Sequence, residues 1–208
     1  GPGPVSLIAY IEGIDFQPSR PFVEQAFHSQ PLTRHNMTPT ARISAAITIL
    51  DRILEGESAE PALLRWSRNS RFAGSGDRAA VRDLVFDSLR RLRSRAVYGG
   101  AMTGRALMIG MCREAGEDTT ALFTGMGYAP APLSENELAV GRAPNDNEAL
   151  DLPDWLIPLW RDSLADQANE VAMRMRERAP VWLRANPLRG NMDNLAQALS
   201  ADGIEVRP

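Results

Sequence analysis

The chain has 208 residues, a net charge of −3, and 44% apolar against 24% charged side chains. These values are typical of a globular protein with one sizeable domain or two small ones, and they exclude a chain that is disordered throughout. One cysteine, Cys112, and two histidines exclude a disulfide framework and predict no metal site. No apolar run approaches the ~18–20 residues of a membrane span, and no secretory signal is recognisable, so we expect a cytoplasmic protein.

Charge is distributed unevenly along the chain. All 23 basic residues are arginine; residues 42–113 hold 13 of them against seven acidic residues, net +6, whereas residues 114–208 hold eight against 16, net −8. A basic block beside an acidic block predicts two surfaces with different partners. The basic surface is a candidate for nucleic acid, and the acidic half is a candidate for a protein partner.

The first 37 residues are set apart from the domains that follow. Gly1-Pro2 reads as the scar of a removed tag, and residues 3–36 carry four prolines without sustained periodicity. Met37 reads like a natural start, so we expect an N-terminal extension or a loosely packed arm before it. The segment VSLIAYI at 5–11 is apolar enough to pack against something.

Helices are predicted from residue 38 onwards. Thr38 and Pro39 suit the N-cap and first position of a helix that ends at Gly56, and the apolar stripe of this helix is Ile43, Ala46, Ile47, Leu50, Ile53 and Leu54. A second helix is expected at about 60–70. After a turn at 72–76, Asp77 is expected to cap a long third helix at about 78–96, with a buried face formed by Val81, Leu84, Val85, Leu89 and Leu92.

The following segments complete the helical part. Thr103 is expected to cap a fourth helix whose run 106–112 is apolar nearly all round, which indicates a central, buried helix. Short helices are expected at 118–124 and after Ser134, where Ser-Glu-Asn-Glu has the capping-box pattern. Residues 143–147 read as a loop, and Pro153 as the start of a further helix that contains two tryptophans.

The last thirty residues change in character. Residues 181–186 and 204–206 are strand candidates, and Asn191 can cap the helix between them. Two parallel strands and one helix do not form a stable sheet alone. The fold class is therefore predicted as mainly all-α, with a helical bundle followed by the β-α-β start of a small α+β domain.

Arginines on the third helix are the main candidates for function. Arg82, Phe86, Arg90 and Arg93 share one helical flank, and guanidinium groups bind phosphates while an aromatic ring can stack on a base. The alternative is a solvated helix face with local ion pairs such as Asp87–Arg91, Phe86 being an extra core residue.

Enzyme motifs are absent from the sequence. There is no phosphate-binding loop, dinucleotide fingerprint, nucleophile elbow or zinc-protease motif. Cys112 lies in the apolar helix, where a thiol resists ionisation. The carboxylate pairs Glu135/Glu137 and Asp151/Asp154 are interpreted as capping and surface groups.

A family resemblance covers about 41–208. It rests on the segments ARISAAITILDRIL (41–54), SRFAGSGDRAAVRDLVFDSLRRLRS (70–94), GRALMIGMCREAG (104–116), DLPDWLIP (151–158) and RAPVWLRANPLRGN (178–191). Together these segments resemble the amino-terminal part of bacterial Sun/Fmu-type 16S ribosomal RNA cytosine-5 methyltransferases. In that family, a helical domain similar to the antitermination factor NusB precedes a small α+β domain and a catalytic domain.

The resemblance implies a domain plan. It implies a NusB-like RNA-binding domain at 38–140, linking helices at 141–178, and the start of the small α+β domain at 179–208. The tag scar and N-terminal extension at 1–37, read from the sequence itself, precede these domains. The S-adenosylmethionine site and two catalytic cysteines of the family have no counterpart here, so no cofactor and no catalytic residue are expected in this chain.

The resemblance also implies an RNA-binding set. Basic residues of the first helices touch RNA in NusB-like relatives, and an R-x-N motif of the small domain lies beside the RNA path. The corresponding candidates are Arg42, Arg68, Arg71, Arg78, Arg82, Phe86, Arg90, Arg93, Arg184 and Asn186.

The expected function is recognition of structured ribosomal RNA for a 5-methylcytosine methyltransferase. The alternative is a NusB-like protein–protein interaction module without direct RNA contact. Binding that weakens steeply with salt would favour the first, and salt-insensitive partner binding the second.

Overall fold

A computed structural model of the chain describes residues 7–10, 37–188 and 190–207. The described residues divide into two compact units, one that combines 7–10 with the described part of 178–207 and one that contains 37–177. The fold is mainly helical, as the sequence predicts.

The larger unit is built from helices. Its α-helices are α1 (Pro39–Leu54), α2 (Ala59–Asn69), α3 (Ser75–Arg90), α4 (Leu92–Gly99), α5 (Gly104–Glu114), α6 (Thr119–Leu122), α7 (Glu135–Ala139), α8 (Leu156–Leu164) and α9 (Ala168–Met175). Two short 3-10 helices lie at Glu148–Leu150 and Ala165–Gln167.

Local capping determines where several helices begin. The Thr38 hydroxyl accepts a hydrogen bond from Ala41 N at 3.2 Å, and the Thr103 hydroxyl accepts one from Ala106 N at 3.1 Å. Ser134 and Glu137 form the expected capping box of α7. Each cap binds a backbone N–H that has no partner within its helix, which confirms these predicted starts.

The core of the larger unit lies around α5. From Ala106 to Cys112 every residue of α5 is buried, which confirms a central helix. Its neighbours in the core are the buried faces of α1 and α3, together with Leu122 and Phe123. A second, smaller core joins the linking region and contains Leu150, Leu152, Ile157 and Ala172.

Helices α4 and α5 approach each other closely at two glycines. A Cβ atom on Gly99 would lie 1.9 Å from Ala106 O, and one on Gly110 would lie 2.0 Å from Arg95 O. Neither position can carry a side chain without moving the partner backbone. Gly99, at the end of α4, faces Ala106 at the start of α5, and Gly110, later in α5, faces Arg95 earlier in α4. The two helices are therefore antiparallel.

The expected long helix at 78–96 is wrong in three respects. The helix begins earlier, at Ser75, with Gly74 as the N-cap, and Asp77 occupies the third helical position. It ends at Arg90, and α4 starts after Arg91, whose φ is −119° and ψ 33°. Within α3, the Ser88 hydroxyl donates to Leu84 O at 2.8 Å, a back-bond that bends helices.

The predicted buried face of the third helix is also only partly buried. Val81, Leu84 and Val85 are buried, whereas Leu89 and Leu92 are half-buried and pack against the edge of the core. Further along, α8 begins at Leu156 rather than at Pro153, and Trp155 is its N-cap residue.

The smaller unit contains a three-stranded sheet and one helix. Its strands are β1 (Leu7–Tyr10), β2 (Val181–Leu183) and β3 (Glu205–Arg207), and α10 (Met192–Ala201) connects β2 to β3. The strand order is β2-β1-β3, and β1 is antiparallel to both neighbours. Asn191 caps α10 as expected, with its side chain accepting from Asn194 N at 2.9 Å.

The sheet agrees with the expectation that the apolar segment at 5–11 packs against something, and it shows that residues 7–10 are not part of a loosely packed arm. Residues 7–10, within the apolar segment, form the middle strand and pair with both C-terminal strands. Met37 also takes part in the helical unit, since its N–H donates to Asp77 Oδ1 at 3.1 Å. Residues 1–6 and 11–36, including both histidines, lie outside the described residues.

Candidate nucleic-acid interface

Most arginines of the basic block are used inside the fold. Of the 13 arginines in 42–113, ten have a hydrogen-bond or ion-pair partner among the described residues. Several partners are acidic residues of the second block, namely Glu114, Glu137 and Asp154. The expected separation into a basic and an acidic surface is therefore wrong to that extent, because the two blocks partly neutralise each other.

Arg42 forms an ion pair with a buried carboxylate. Its Nε and one terminal nitrogen donate to Asp77 Oδ1 at 3.1 and 2.8 Å. Asp77 is 2% exposed and also accepts from Gly74 N through Oδ2 at 3.1 Å. The pair therefore joins α1 to the start of α3, and its guanidinium donors point into the protein.

Arg90 and Arg93 contact the linking region. Arg93 donates to Leu152 O at 2.8 Å and to Asp154 at 2.6 Å. Arg90 donates through Nε to Arg176 O at 3.3 Å and lies 3.5 Å from an Asp87 carboxylate oxygen. Arg90 is the last residue of α3, the helix of Arg82 and Phe86, whereas Arg93 lies on α4. The break between the two helices therefore separates Arg93 from the predicted flank.

A buried ionic network lies beneath them. Arg95, 3% exposed, contacts Asp87 and donates to Glu114 at 3.1 Å and to the Ser88 hydroxyl at 2.8 Å. Arg176 reaches the same Glu114 at 2.5 Å. Shared carboxylates tie α3, α4 and α5 to the end of α9, so this cluster has a structural role.

Asp151 is the last member of the network, and its carboxylate caps the start of α4. Its Oδ1 accepts from Ser94 N at 2.7 Å, its Oδ2 accepts from the Ser94 hydroxyl at 2.9 Å, and Arg176 Nε lies 2.9 Å from Oδ2. Ser94 N is one of the N–H groups that lack a partner at the start of α4. Burial raises the pKa of Asp151, while the hydrogen bonds from Ser94 act in the opposite direction.

Arg82 and Phe86 form a local pair on α3. The Arg82 guanidinium carbon lies 5.7 Å from the centre of the Phe86 ring, within the range of a cation–π contact. Arg82 is exposed and also bonds to the exposed Glu60 at 3.2 Å, whereas Phe86 is half-buried against the core. Arg82 can therefore reach a ligand, while the ring of Phe86 is largely used for packing.

Three arginines keep their guanidinium groups free. Arg68, Arg71 and Arg78 are exposed and have no ion pair or hydrogen bond from their side chains to any described residue. They lie at the end of α2, in the α2–α3 turn and in the first turns of α3. Phe72, 62% exposed, lies in the same turn. We refer to Arg68, Arg71, Phe72 and Arg78 as the arginine patch.

The turn between α2 and α3 holds part of this patch at the surface. Ser70 and Ala73 are buried, and Ala73 N donates to Ser70 O at 3.0 Å. Two buried anchors therefore flank Arg71 and Phe72 and direct them to the surface. Phe72 was missed as a candidate, although a phenylalanine beside an arginine in a predicted turn is a visible signal for a stacking residue.

The R-x-N motif lies directly after β2 in the smaller unit. Arg184 is exposed and has no partner among the described residues. The Asn186 side chain accepts from Leu188 N at 3.0 Å and thereby stabilises the loop. Arg184 is thus available to a ligand, and Asn186 holds the backbone that follows it.

S-adenosylmethionine and a metal ion each have requirements that can be compared with the described residues. The βα connection that they contain, between β2 and α10, has one glycine, Gly190, and the antiparallel sheet has no crevice at parallel strand ends, so these residues do not fit S-adenosylmethionine. No group of three metal-ligating side chains occurs in 7–10, 37–188 and 190–207. Over the same ranges, we find no helix with the length and apolarity needed to cross a membrane.

Cys112 is unsuited to nucleophilic chemistry. It is buried in the middle of the core on α5, and this burial raises the pKa of its thiol to about 12. A neutral thiol without solvent access is a poor nucleophile.

Comparison with known proteins identifies the C-terminal region. Residues 152–208, about a quarter of the chain, match the family model described as Methyltr_RsmF/B-like, ferredoxin-like domain. No curated protein and no solved structure matches the chain. The match covers α8, α9 and the β2-α10-β3 segment, and it relates this region to the RsmB/F group of methyltransferases.

Proposed function

We propose that the chain is the RNA-recognition portion of a ribosomal RNA 5-methylcytosine methyltransferase. The observation that carries this proposal is the match of residues 152–208 to the ferredoxin-like domain of RsmF/B-like methyltransferases. In the proposed plan, 38–140 is a NusB-like RNA-binding domain, 141–178 links it to the small α+β domain at 179–208, and the family's catalytic domain is not part of this sequence. S-adenosylmethionine chemistry belongs to that catalytic domain.

The arginine patch is the proposed RNA contact of the helical unit. Three free guanidinium groups and an exposed ring lie within one short stretch of chain, residues 68–78, and this combination suits phosphates and an unpaired base. Arg82 extends the patch along α3, with its exposed pair to Glu60 costing little to break. In the smaller unit, Arg184 supplies a separate phosphate contact. Arg42, Arg90 and Arg93 support the fold, because their donors are engaged within it.

Salt-dependent RNA binding tests this assignment. The probe is a fluorescein-labelled stem-loop from small-subunit ribosomal RNA, and its affinity is measured by anisotropy at several salt concentrations. In the variant Arg68→Gln/Arg71→Gln/Arg78→Gln, the slope of log K against log salt should flatten by about 2–3, since each lost phosphate contact contributes about 0.7–0.9. Phe72→Leu should weaken binding by about 1–3 kcal/mol if a base stacks on the ring.

A matched triple variant separates a specific patch from overall charge. Arg142→Gln/Arg161→Gln/Arg174→Gln also removes three exposed arginines of the helical unit, so its change in net charge is the same. We expect its salt slope to stay close to that of the parent. If the salt slope flattens equally in both variants, the arginine patch is not a specific RNA contact. Absence of salt-sensitive RNA binding by the parent chain would contradict the proposed function itself and favour a protein-interaction module.

A further inference from the structure

The two C-terminal strands leave a gap one strand wide. Both β2 and β3 run antiparallel to β1, so they are parallel to each other, and β1 lies between them. Helix α10 connects β2 to β3 across this gap. A β-α-β unit whose strands are separated by a third strand is the split β-α-β arrangement of ferredoxin-like folds, in agreement with the family model that matches this region.

The gap requires an occupant. Without β1, the facing edges of β2 and β3 would expose unpaired N–H and C=O groups, and such edges accept any extended segment that supplies matching hydrogen bonds. The occupant comes from the other end of the chain: Ala9 pairs with Val181 on one side and with Val206 on the other. Recognition of this type depends on the backbone, so it requires an extended, proline-free segment with strand propensity.

We propose that the gap between β2 and β3 is a strand-binding site that Leu7–Tyr10 fills as an intramolecular ligand. This inference rests on the strand pairing and not on the proposed RNA function. The site takes an apolar segment that runs antiparallel to both neighbours, and a free peptide with the sequence of β1 can take the place of the tethered strand.

Substitutions at Ala9 in the full chain test the role of β1. Ala9→Pro removes a backbone N–H and fixes φ in the middle of the strand, whereas Ala9→Val keeps the N–H and raises strand propensity. Hydrogen exchange is followed by mass spectrometry. In Ala9→Pro the amides of β2 and β3 should exchange roughly tenfold faster or more, because two strands without a middle strand are unstable. In Ala9→Val they should keep the parent protection.

A peptide replaces the missing strand in the second arm of the test. A labelled peptide with the sequence PVSLIAYIE, residues 4–12, should bind saturably to the Ala9→Pro protein and restore the protection of β2 and β3. The parent should bind it at least tenfold more weakly, because the tethered strand competes at a high effective concentration. The same peptide with proline in place of its alanine should not bind.

Several outcomes would overturn the inference. Unchanged exchange of β2 and β3 in Ala9→Pro would show that β1 does not occupy the gap. Loss of protection in α5 as well would show that β1 is not a separable ligand. Failure of the peptide to bind would show that the gap is not a strand-binding site. A concentration-dependent dimer of the parent that is lost in Ala9→Pro would assign the strand to a second copy of the chain.

Discussion

Asp77 shows how one buried carboxylate can organise several elements. It accepts hydrogen bonds from Arg42, from Gly74 N and from Met37 N, and so joins the start of α1 to the start of α3. From the sequence it is an ordinary helix cap. The contact with Arg42 lies 35 positions away, and no local pattern predicts it.

Replacing Asp77 by Asn should destabilise the helical unit. The change leaves Arg42 without its charged partner, and we expect a loss of about 2–4 kcal/mol in the free energy of unfolding. Arg42→Gln should cost at least as much, because it leaves the buried Asp77 carboxylate without its charged partner. Urea unfolding of both single variants and the double variant gives the coupling energy. A cost below about 0.5 kcal/mol for Asp77→Asn would contradict this account.

Glu137 should make stability depend on acid pH. Hydrogen bonds from Arg105 lower the pKa of its carboxyl to about 2, helped by the N–H and hydroxyl of Ser134. A carboxyl whose folded pKa lies below its unfolded value stabilises the fold above the unfolded pKa, and this contribution is lost as the pH falls through the folded pKa. Between pH about 4.5 and 2, the stability of the parent should therefore fall more steeply than that of Glu137→Gln.

Unfolding in urea at pH 7, 4 and 3 measures this dependence. Glu135→Gln is the matched control, because Glu135 lies in the same short helix, is exposed, and has no side-chain partner among the described residues. It should follow the parent. A Glu137→Gln protein with the acid dependence of the parent would contradict the assigned role of the Arg105–Glu137 pair.

Cys112 should report on opening of the core. With its thiol buried and the pKa raised to about 12, reaction with a disulfide reagent at pH 8 requires unfolding around α5. We expect slow labelling in native buffer and fast, complete labelling in 6–8 M urea. Leu107→Ala, which costs about 2–5 kcal/mol in the same core, should accelerate native labelling. Immediate stoichiometric labelling of the parent would contradict a buried thiol.

At the scale of elements, the break between α3 and α4 depends on a distant cap. Asp151 binds Ser94 N from 57 positions away, and its own backbone is held at φ 55°, a left-handed conformation. Caps supplied within three residues, at Thr38, Thr103, Ser134 and Asn191, follow from sequence. The start of α4 does not, because its cap comes from the linking region, and periodicity alone favours one continuous helix.

Asp151→Ala should weaken the contact between the helical bundle and the linking region. It removes the cap of α4 and leaves the largely buried Arg176 without one of its carboxylate partners, so we expect a cost of about 2–4 kcal/mol. Asp154→Asn is the control: its exposed single pair with Arg93 should contribute less than about 1 kcal/mol. Urea unfolding gives both costs, and hydrogen exchange at Ser94 locates the first. Equal costs for the two variants would contradict the capping role.

At the scale of the whole molecule, a count of charges along the sequence overestimates how many arginines are available to bind RNA. The sequence shows which segment is basic, but the fold decides which guanidinium groups reach solvent. Pairing with Glu114, Glu137 and Asp154 occurs over 19 to 61 positions and leaves the arginine patch as the free part. Most helices and both C-terminal strands could be predicted from local patterns, whereas the middle strand could not, since its pairing joins opposite ends of the chain.

The close contact between α4 and α5 has a consequence for length variation. At Gly99 and Gly110, the absence of a side chain lets the two backbones come into close contact. Two such contacts fix both the position of one helix along the other and its rotation. An insertion in the connection at 100–103 leaves both contacts intact, whereas one residue inserted between Ala106 and Gly110 rotates the second contact by about 100°. We therefore expect this hairpin to accept new residues at its tip and to reject them within α5.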